Sequence, residues 1–458
     1  MQKTALIIRY VIITVAVLAL LGLGSWYFFL KSKTDTTQSS DNARGIGISA
    51  PSFTGTTGST YQNVLAGITG ASQQTSPSTQ AAGQPPPKIW QISKNPVAGM
   101  GFVNDNGTTV VYFVERATGF VFSADPQTGV VTRMVGTLTP KIYDALFAAD
   151  GSVVLRSLDQ SGRVTTFVGT EPTSTPRNVN TLNSTSSLAG ITLEPNIVNV
   201  AVNPAGREFF YLVVDPKSGL IGIRAPWNNV KQKRVFVSSL AGWRASWLLD
   251  GRIILTQNAA DNTPGASFEL KSDGSLSPII SNVAGLTLLP RAFSSAFLFG
   301  RSSQGSLALF AQVDQDVPPV PLPIKTVADK CAWAPPAAIA TAKTKGSTST
   351  PNLIAYCAVP DSLPIGDFLN NWYQGITHAS DSWWTVDAKE GSAQVLYSGA
   401  SGNQHFDVER PMVDSSNTYI TFMNASNKSL WLLRLTPQNE KPATSTPASL
   451  NESLKPQN

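Results

Sequence analysis

The strongest constraint on this chain is a worn internal repeat. From residue 101 onward an apolar strand candidate runs into a polar or glycine-bearing turn and out into a second apolar strand. The pattern occurs as GFVNDNGTTVVYFV (101–114), ALFAADGSVVLRSL (145–158), NVAVNPAGREFFYLVV (199–214), ASWLLDGRIILTQ (245–257), RAFSSAFLFG (291–300), KCAWAPP (330–336) and PMVDSSNTYITFM (411–423). The turn glycines Gly107, Gly151, Gly206 and Gly251 lie 44, 55 and 45 residues apart, and Ser295 follows 44 later. A period of this length belongs to stacked units, each too thin to shield its own apolar faces. Further strand candidates at 120–124, 130–135, 220–225, 382–387 and 393–397, with hairpin turns at 125–129 and 388–391, bring each unit to about four strands.

Seven such antiparallel units fit a radial propeller, in which each sheet buries both faces against its neighbours and only short edges stay open. Strands such as 198–202 and 209–214 accordingly lose strict apolar and polar alternation. The expected fold class is all-β, a seven-bladed β-propeller over residues 88–436, preceded by a single transmembrane helix. The irregular spacing also leaves room for a long β-sandwich or two β domains. A lone strand candidate, Lys88 to Ser93, precedes the first doublet, while the seventh unit offers only 406–413, 418–423 and 429–435. The N-terminal strand is therefore expected to close the last blade by pairing with 429–435.

The x-N/D-P/D-x-G turn between the first two strands, as in VNDNG and VNPAG, resembles the TolB-type and WD40-like propeller repeat across about residues 88–436. Ser294-Ser295, Pro335-Pro336 and Asp414-Ser415-Ser416 stand where that pattern has glycine, and no WD dipeptide closes a blade. TolB-like propellers are six-bladed and often soluble, so the resemblance implies a fold and not a role.

Residues 10–30, YVIITVAVLALLGLGSWYFFL, hold no charge over 21 residues. At about 1.5 Å rise per residue they match a hydrocarbon core of roughly 30 Å. Residues 1–33 are read as a cytoplasmic stub and transmembrane helix. Lys3 and Arg9 precede the run and Lys31 and Lys33 follow it, so the charge rule is close to a tie; the short leading tail favours the N-terminus inside. A cleaved signal peptide is the rival reading, against which stand the length of the run and the lack of an A-x-A site. Residues 34–87 are rich in Ser, Thr, Gly and Gln and close on three prolines, a disordered linker with a reach on the order of 40 Å. Residues 437–458 read as a disordered tail.

Cys331 and Cys357 fall in the first and second strand candidates of the sixth unit, where neighbouring antiparallel strands can bring two sulphurs within bonding range. A disulfide is expected, which agrees with an extracytoplasmic propeller; two buried thiols in a cytosolic protein are the alternative. The same unit carries a long insertion, 360–380, in which PIGDFLNNWYQG suggests a short helix. Trp372, Tyr373, His378 and Asp381 form a candidate partner surface there, because inserted loops often carry a repeat protein's binding face. Packing of the enlarged unit is the plainer explanation of its aromatics, and Trp383 in particular is expected between blades.

Composition narrows the function. Lys plus Arg total 34 against 29 Asp plus Glu, and the resulting +5 over 458 residues forms no basic stripe, which speaks against nucleic acid. Two Cys and two His leave little for a transition-metal centre, and no cofactor or metal is expected. G-x-S-x-G, P-loop and zinc spacings are missing. No nucleophile, base and orienting acid can be matched around His378 or His405. The expectation is a membrane-anchored, extracytoplasmic propeller, non-catalytic, acting as a protein- or ligand-binding scaffold. Its partners are the membrane, through residues 10–30, and a protein of the cell envelope. The alternatives are a hydrolase or lyase of envelope polysaccharide whose carboxylates converge at the central channel, and a sensor subunit of an envelope complex.

Overall fold

The computed structural model describes residues 86–435, apart from 106, 137, 171–186, 337–352, 364–365 and 400–403. The apolar run 10–30, the linker up to 85 and the tail 437–458 lie outside the described residues. Among the described residues no helix is long and apolar enough to cross a membrane.

Short strands punctuated by Gly, Asn and Asp turns give seven four-stranded sheets. After β1 (Ile89–Ser93), blade 1 holds β2 (Val97–Asp105), β3 (Thr108–Glu115), β4 (Val121–Ala124) and β5 (Val131–Val135). Blade 2 holds β6 (Ile142–Phe147), β7 (Val153–Leu158), β8 (Val164–Thr170) and β9 (Ala189–Thr192). Blade 3 holds β10 (Ile197–Val202), β11 (Glu208–Asp215), β12 (Gly219–Pro226) and β13 (Lys233–Ser238). Blade 4 holds β14 (Trp243–Trp247), β15 (Ile253–Gln257), β16 (Pro264–Leu270) and β17 (Leu276–Ala284). Blade 5 holds β18 (Thr287–Pro290), β19 (Phe297–Ser303), β20 (Ser306–Gln312) and β21 (Val320–Pro321). Blade 6 holds β22 (Cys331–Trp333), β23 (Ile354–Pro360), β24 (Asp381–Asp387) and β25 (Ser392–Tyr397). Blade 7 holds β26 (Val408–Val413), β27 (Tyr419–Asn424) and β28 (Leu430–Arg434), and β1 supplies its fourth strand. The ring closes through the register Ile89↔Leu433, Trp90↔Leu432 and Gln91↔Trp431. The structure is thus a seven-bladed, all-β propeller closed by its N-terminal strand.

The first turn of each blade explains the glycine spacing. Gly107, Gly151, Gly206 and Gly251 all have φ between 80° and 88°, a region that L side chains rarely enter. In blades 5 and 7, Phe293 (φ 58°) and Asn417 (φ 56°) take left-handed positions in the equivalent turns. Close approach also demands glycine where blades 1 and 2 meet: a Cβ on Gly99 would lie 2.0 Å from the Ala145 carbonyl oxygen. Asp125, Asp215 and Asp387 cap tight turns, each accepting two backbone N–H groups through Oδ1.

The core is not one mass but seven wedges between adjacent blades. Trp90, Val111 and Leu432 fill the junction of blades 7 and 1, and Phe210, Leu212 and Trp243 that of blades 3 and 4. Strands such as β11 and β27 bury both faces; Val198 in β10 departs from this and is exposed. Trp383 is fully buried between blades 6 and 7, its ring 5.2 Å from that of Phe422. Cys331 and Cys357 face each other in register across β22 and β23, and their sulphurs are bonded.

Blade 6 carries the insertion between β23 and β24, and its helix is α1 (Phe368–Tyr373). Phe368 and Leu369 bury against Leu307 and Val327 of blade 5 and the chain after it. Asp261, in the β15–β16 loop of blade 4, accepts from the Asn370 N–H at 2.8 Å, while the Asp261 N–H donates to Asn370 Oδ1 at 3.0 Å. The insertion therefore reaches across blade 5 and is clamped on blade 4. It lies at the end of the ring where the first strands begin. Ile89 lies at the other end: Leu433 pairs with both Ile89 and Ile420, directly beyond the β26–β27 turn.

Candidate functional site

Three polar assemblies converge where the first strands begin. The deepest is built on Lys330, at the close of a single 3-10 turn (Ala328–Lys330) that leads into β22. Its ammonium is fully buried and donates to Asp381 Oδ2 and Asp407 Oδ1, each at 2.6 Å. The Trp372 ring lies across it, with the centroid 4.8 Å from Nζ, and the indole N–H donates to Asp407 Oδ1 at 2.8 Å. His378 Nδ1 stands 2.8 Å from Asp407 Oδ2, so the imidazole is held by a buried carboxylate. One ammonium thus meets two carboxylates in a dry site. Burial pushes the Asp381 carboxyl up to about 6 against the pull of Lys330. Its Oδ2 also accepts the Val408 N–H, whereas Oδ1 finds no donor among the described residues.

Above this sits a second cluster. Arg244, near the start of β14, donates to Asp329 Oδ2 at 2.6 Å, and the Tyr373 hydroxyl donates to the same oxygen at 2.5 Å. The Asp329 carboxylate holds the Arg244 guanidinium above its usual range. The insertion is what delivers Tyr373 to this point, carrying it from blade 6 over blade 5 to Arg244 of blade 4.

The third cluster crosses the pore. β26 bulges between Glu409 and Met412, and Arg410 takes φ 52°. A non-glycine residue in that conformation costs of order 1–3 kcal/mol and persists only where the surroundings enforce it. The turn sends Arg410 Nη1 from blade 7 to Asp144 Oδ1 of blade 2, at 2.7 Å. Asp144 also accepts from Arg156 Nη1 at 3.2 Å. Burial raises the Asp144 carboxyl, but Arg410 and Arg156 outweigh it and hold the group below the ordinary range. Beside this bridge, Lys428 pairs with Glu409 at 2.9 Å and Arg116 donates to the Tyr143 carbonyl.

A cavity of about 500 Å³ joins these parts, walled by Arg244, Asp329, Trp372, Tyr373, His378 and Arg410 among others. This is the size of a small-molecule site. Of the residues singled out from sequence, Trp372, Tyr373 and His378 line the cavity together. Asp381 does not reach a surface: it is fully buried beneath them, because Lys330 draws its carboxylate inward. Lys330, Asp407, Arg244, Asp329, Asp144 and Arg410 were not singled out. The usable signal was a charge inside an otherwise apolar first strand, as in IYDALF, DKCAW, WRASW and VERPM. Among the described residues, no group of three or more His, Cys, Asp or Glu is arranged to hold a metal ion.

No family model matches the chain, and no curated protein matches it. Solved structures resemble it at the level of fold. The β-propeller domain of Cps50 (Swd1) from Myceliophteria thermophila is 11% identical, with 76% of this chain and 100% of that one covered and a TM-score of 0.42. An auxiliary nutrient binding protein from Bacteroides thetaiotaomicron is 10% identical, over 74% of this chain and 69% of that one, with a TM-score of 0.42. An oligogalacturonate lyase in complex with manganese is 10% identical, over 77% and 99%, with a TM-score of 0.42. Binding proteins and enzymes both occur among these neighbours, and likenesses of this strength assign no activity.

Proposed function

We propose that this protein is a non-catalytic binding platform that presents its cavity face to a ligand or protein partner. In this proposal residues 10–30 hold it at a membrane, with the propeller outside the cytoplasm and a partner in the cell envelope. The supporting observation is that the charged groups on the cavity wall are fixed in place by ion pairs: Arg244 with Asp329, Lys428 with Glu409, and Arg410, through one nitrogen, with Asp144. Such a wall is preorganised for recognition. A glycosidase-like site needs one accessible carboxylic acid with a raised pKa, and the raised one here, Asp381, is sealed under the cavity.

A photo-crosslinking residue placed at Tyr373, and in parallel at Leu249 on the far end of the ring, tests the reading in intact cells. Both positions are exposed. A discrete adduct from position 373 and none from 249 supports it; equal labelling from the two faces, or none, defeats it. Alkaline carbonate extraction of the same chain with residues 10–30 removed tests the anchor. A second reading, a hydrolase or lyase, draws on the Asp407–His378 pair, which orients an imidazole at the cavity wall. Turnover of an envelope polysaccharide that is lost in His378→Asn would favour it.

A further inference from the structure

The pore mouth carries more positive charge than its partners neutralise. At the Arg410 bridge three cations, Arg156, Arg410 and Lys428, are paired with two carboxylates, Asp144 and Glu409, an excess of one positive charge. Asp144 is shared by two guanidiniums, and Glu409 lies within the field of Arg116 as well as bonding Lys428. Arg410 spends only Nη1 on protein, its side chain is 45% exposed, and its remaining N–H donors have no hydrogen-bond partner among the described residues. The bulge and the left-handed backbone hold this half-used guanidinium at the edge of the cavity. A planar fork of donors in a partly desolvated, net positive mouth is suited to an oxyanion, which can take two parallel N–H bonds at once. The aromatic wall of Trp372 and Tyr373 supplies apolar contact for the rest of the molecule.

We infer that the cavity binds a small anionic ligand whose carboxylate or phosphate group is held by Arg410, with Lys428 adding to the attraction. This deepens the binding-platform reading and rests on it. The test is isothermal titration calorimetry of the detergent-solubilised full chain with citrate, inorganic phosphate and, as a neutral control, glucose. One or both anions bind with a stoichiometry of one, and which of them binds tells carboxylate from phosphate recognition. Affinity falls as salt is raised. Arg410→Gln weakens binding tenfold or more, Arg410→Lys less, and Lys428→Gln severalfold; the last change lies in a surface turn and keeps the test valid if the Arg410 variants misfold. No heat with either anion, or equal affinities for wild type and Lys428→Gln together with any folded Arg410→Gln, overturns the inference. A chain that crosslinks a partner through position 373 yet ignores both anions defeats this inference and leaves the platform standing.

Discussion

Replacing Asp381 with Asn isolates one buried charge. The amide oxygen can accept both bonds now made to Oδ2, from Lys330 Nζ and the Val408 N–H, and Lys330 keeps Asp407 as its counter-ion. A carboxyl moved from 3.8 to about 6 represents about 3 kcal/mol, at roughly 1.4 kcal/mol per pH unit. The native state keeps this proton to a higher pH than the unfolded chain does. The stability it contributes is therefore complete below about pH 4 and is lost as the pH rises through about 6. Asn does not titrate. Urea unfolding followed by tryptophan fluorescence, run on wild type and Asp381→Asn at several values between pH 4 and pH 7, gives the difference in unfolding free energy directly. That difference moves in the variant's favour by about 2.4 kcal/mol between pH 4 and pH 7, the rest of the effect lying below pH 4. If it stays flat, or moves the other way, the carboxyl is ionised throughout and burial does not outweigh Lys330.

Trp383→Ala empties the wedge between blades 6 and 7 and is expected to destabilise by about 3–5 kcal/mol in the same unfolding assay; a loss under 1 kcal/mol would mean the blades close over the gap. Thiol titration of unreduced, denatured protein finds no free thiol, and reduction lowers stability by roughly 3 kcal/mol in the chain-entropy account of a bridge spanning 26 residues; two titratable thiols would contradict the pairing. Deleting residues 86–93 bares the β28 edge and removes Trp90 and Ile92 from their wedge, so the shortened chain self-associates on size-exclusion chromatography. An unchanged monomer with unchanged melting would show that ring closure contributes little.

The blades were readable because their first turns repeat one backbone requirement, met by glycine in the first four units. Phe293 and Asn417 meet it without glycine, which is why the pattern fades in blades 5 and 7. The closing strand was readable by counting, since the seventh unit is one strand short. The cavity was only half readable. Trp372, Tyr373 and His378 are neighbours in sequence and stand out as a group, but Asp144 and Arg410 are 266 residues apart and meet only because the ring closes. No local pattern encodes that encounter. Nor does residue type separate Asp381 from its exposed neighbours; its burial follows from Lys330, fixed by a turn 51 residues earlier.

The pairing of β1 with β28 also decides how the wheel responds to force. The chain enters at Ile89 and leaves after Arg434 from the same rung of one antiparallel ladder. Pulling those two ends apart opens the ladder rung by rung, like a zip. Tension between the entering strand and something gripping the opposite face runs along β1 instead, so its rungs are stressed together in shear. A chain tugged from its leading end while its mouth is engaged is thus strained in its mechanically stronger direction.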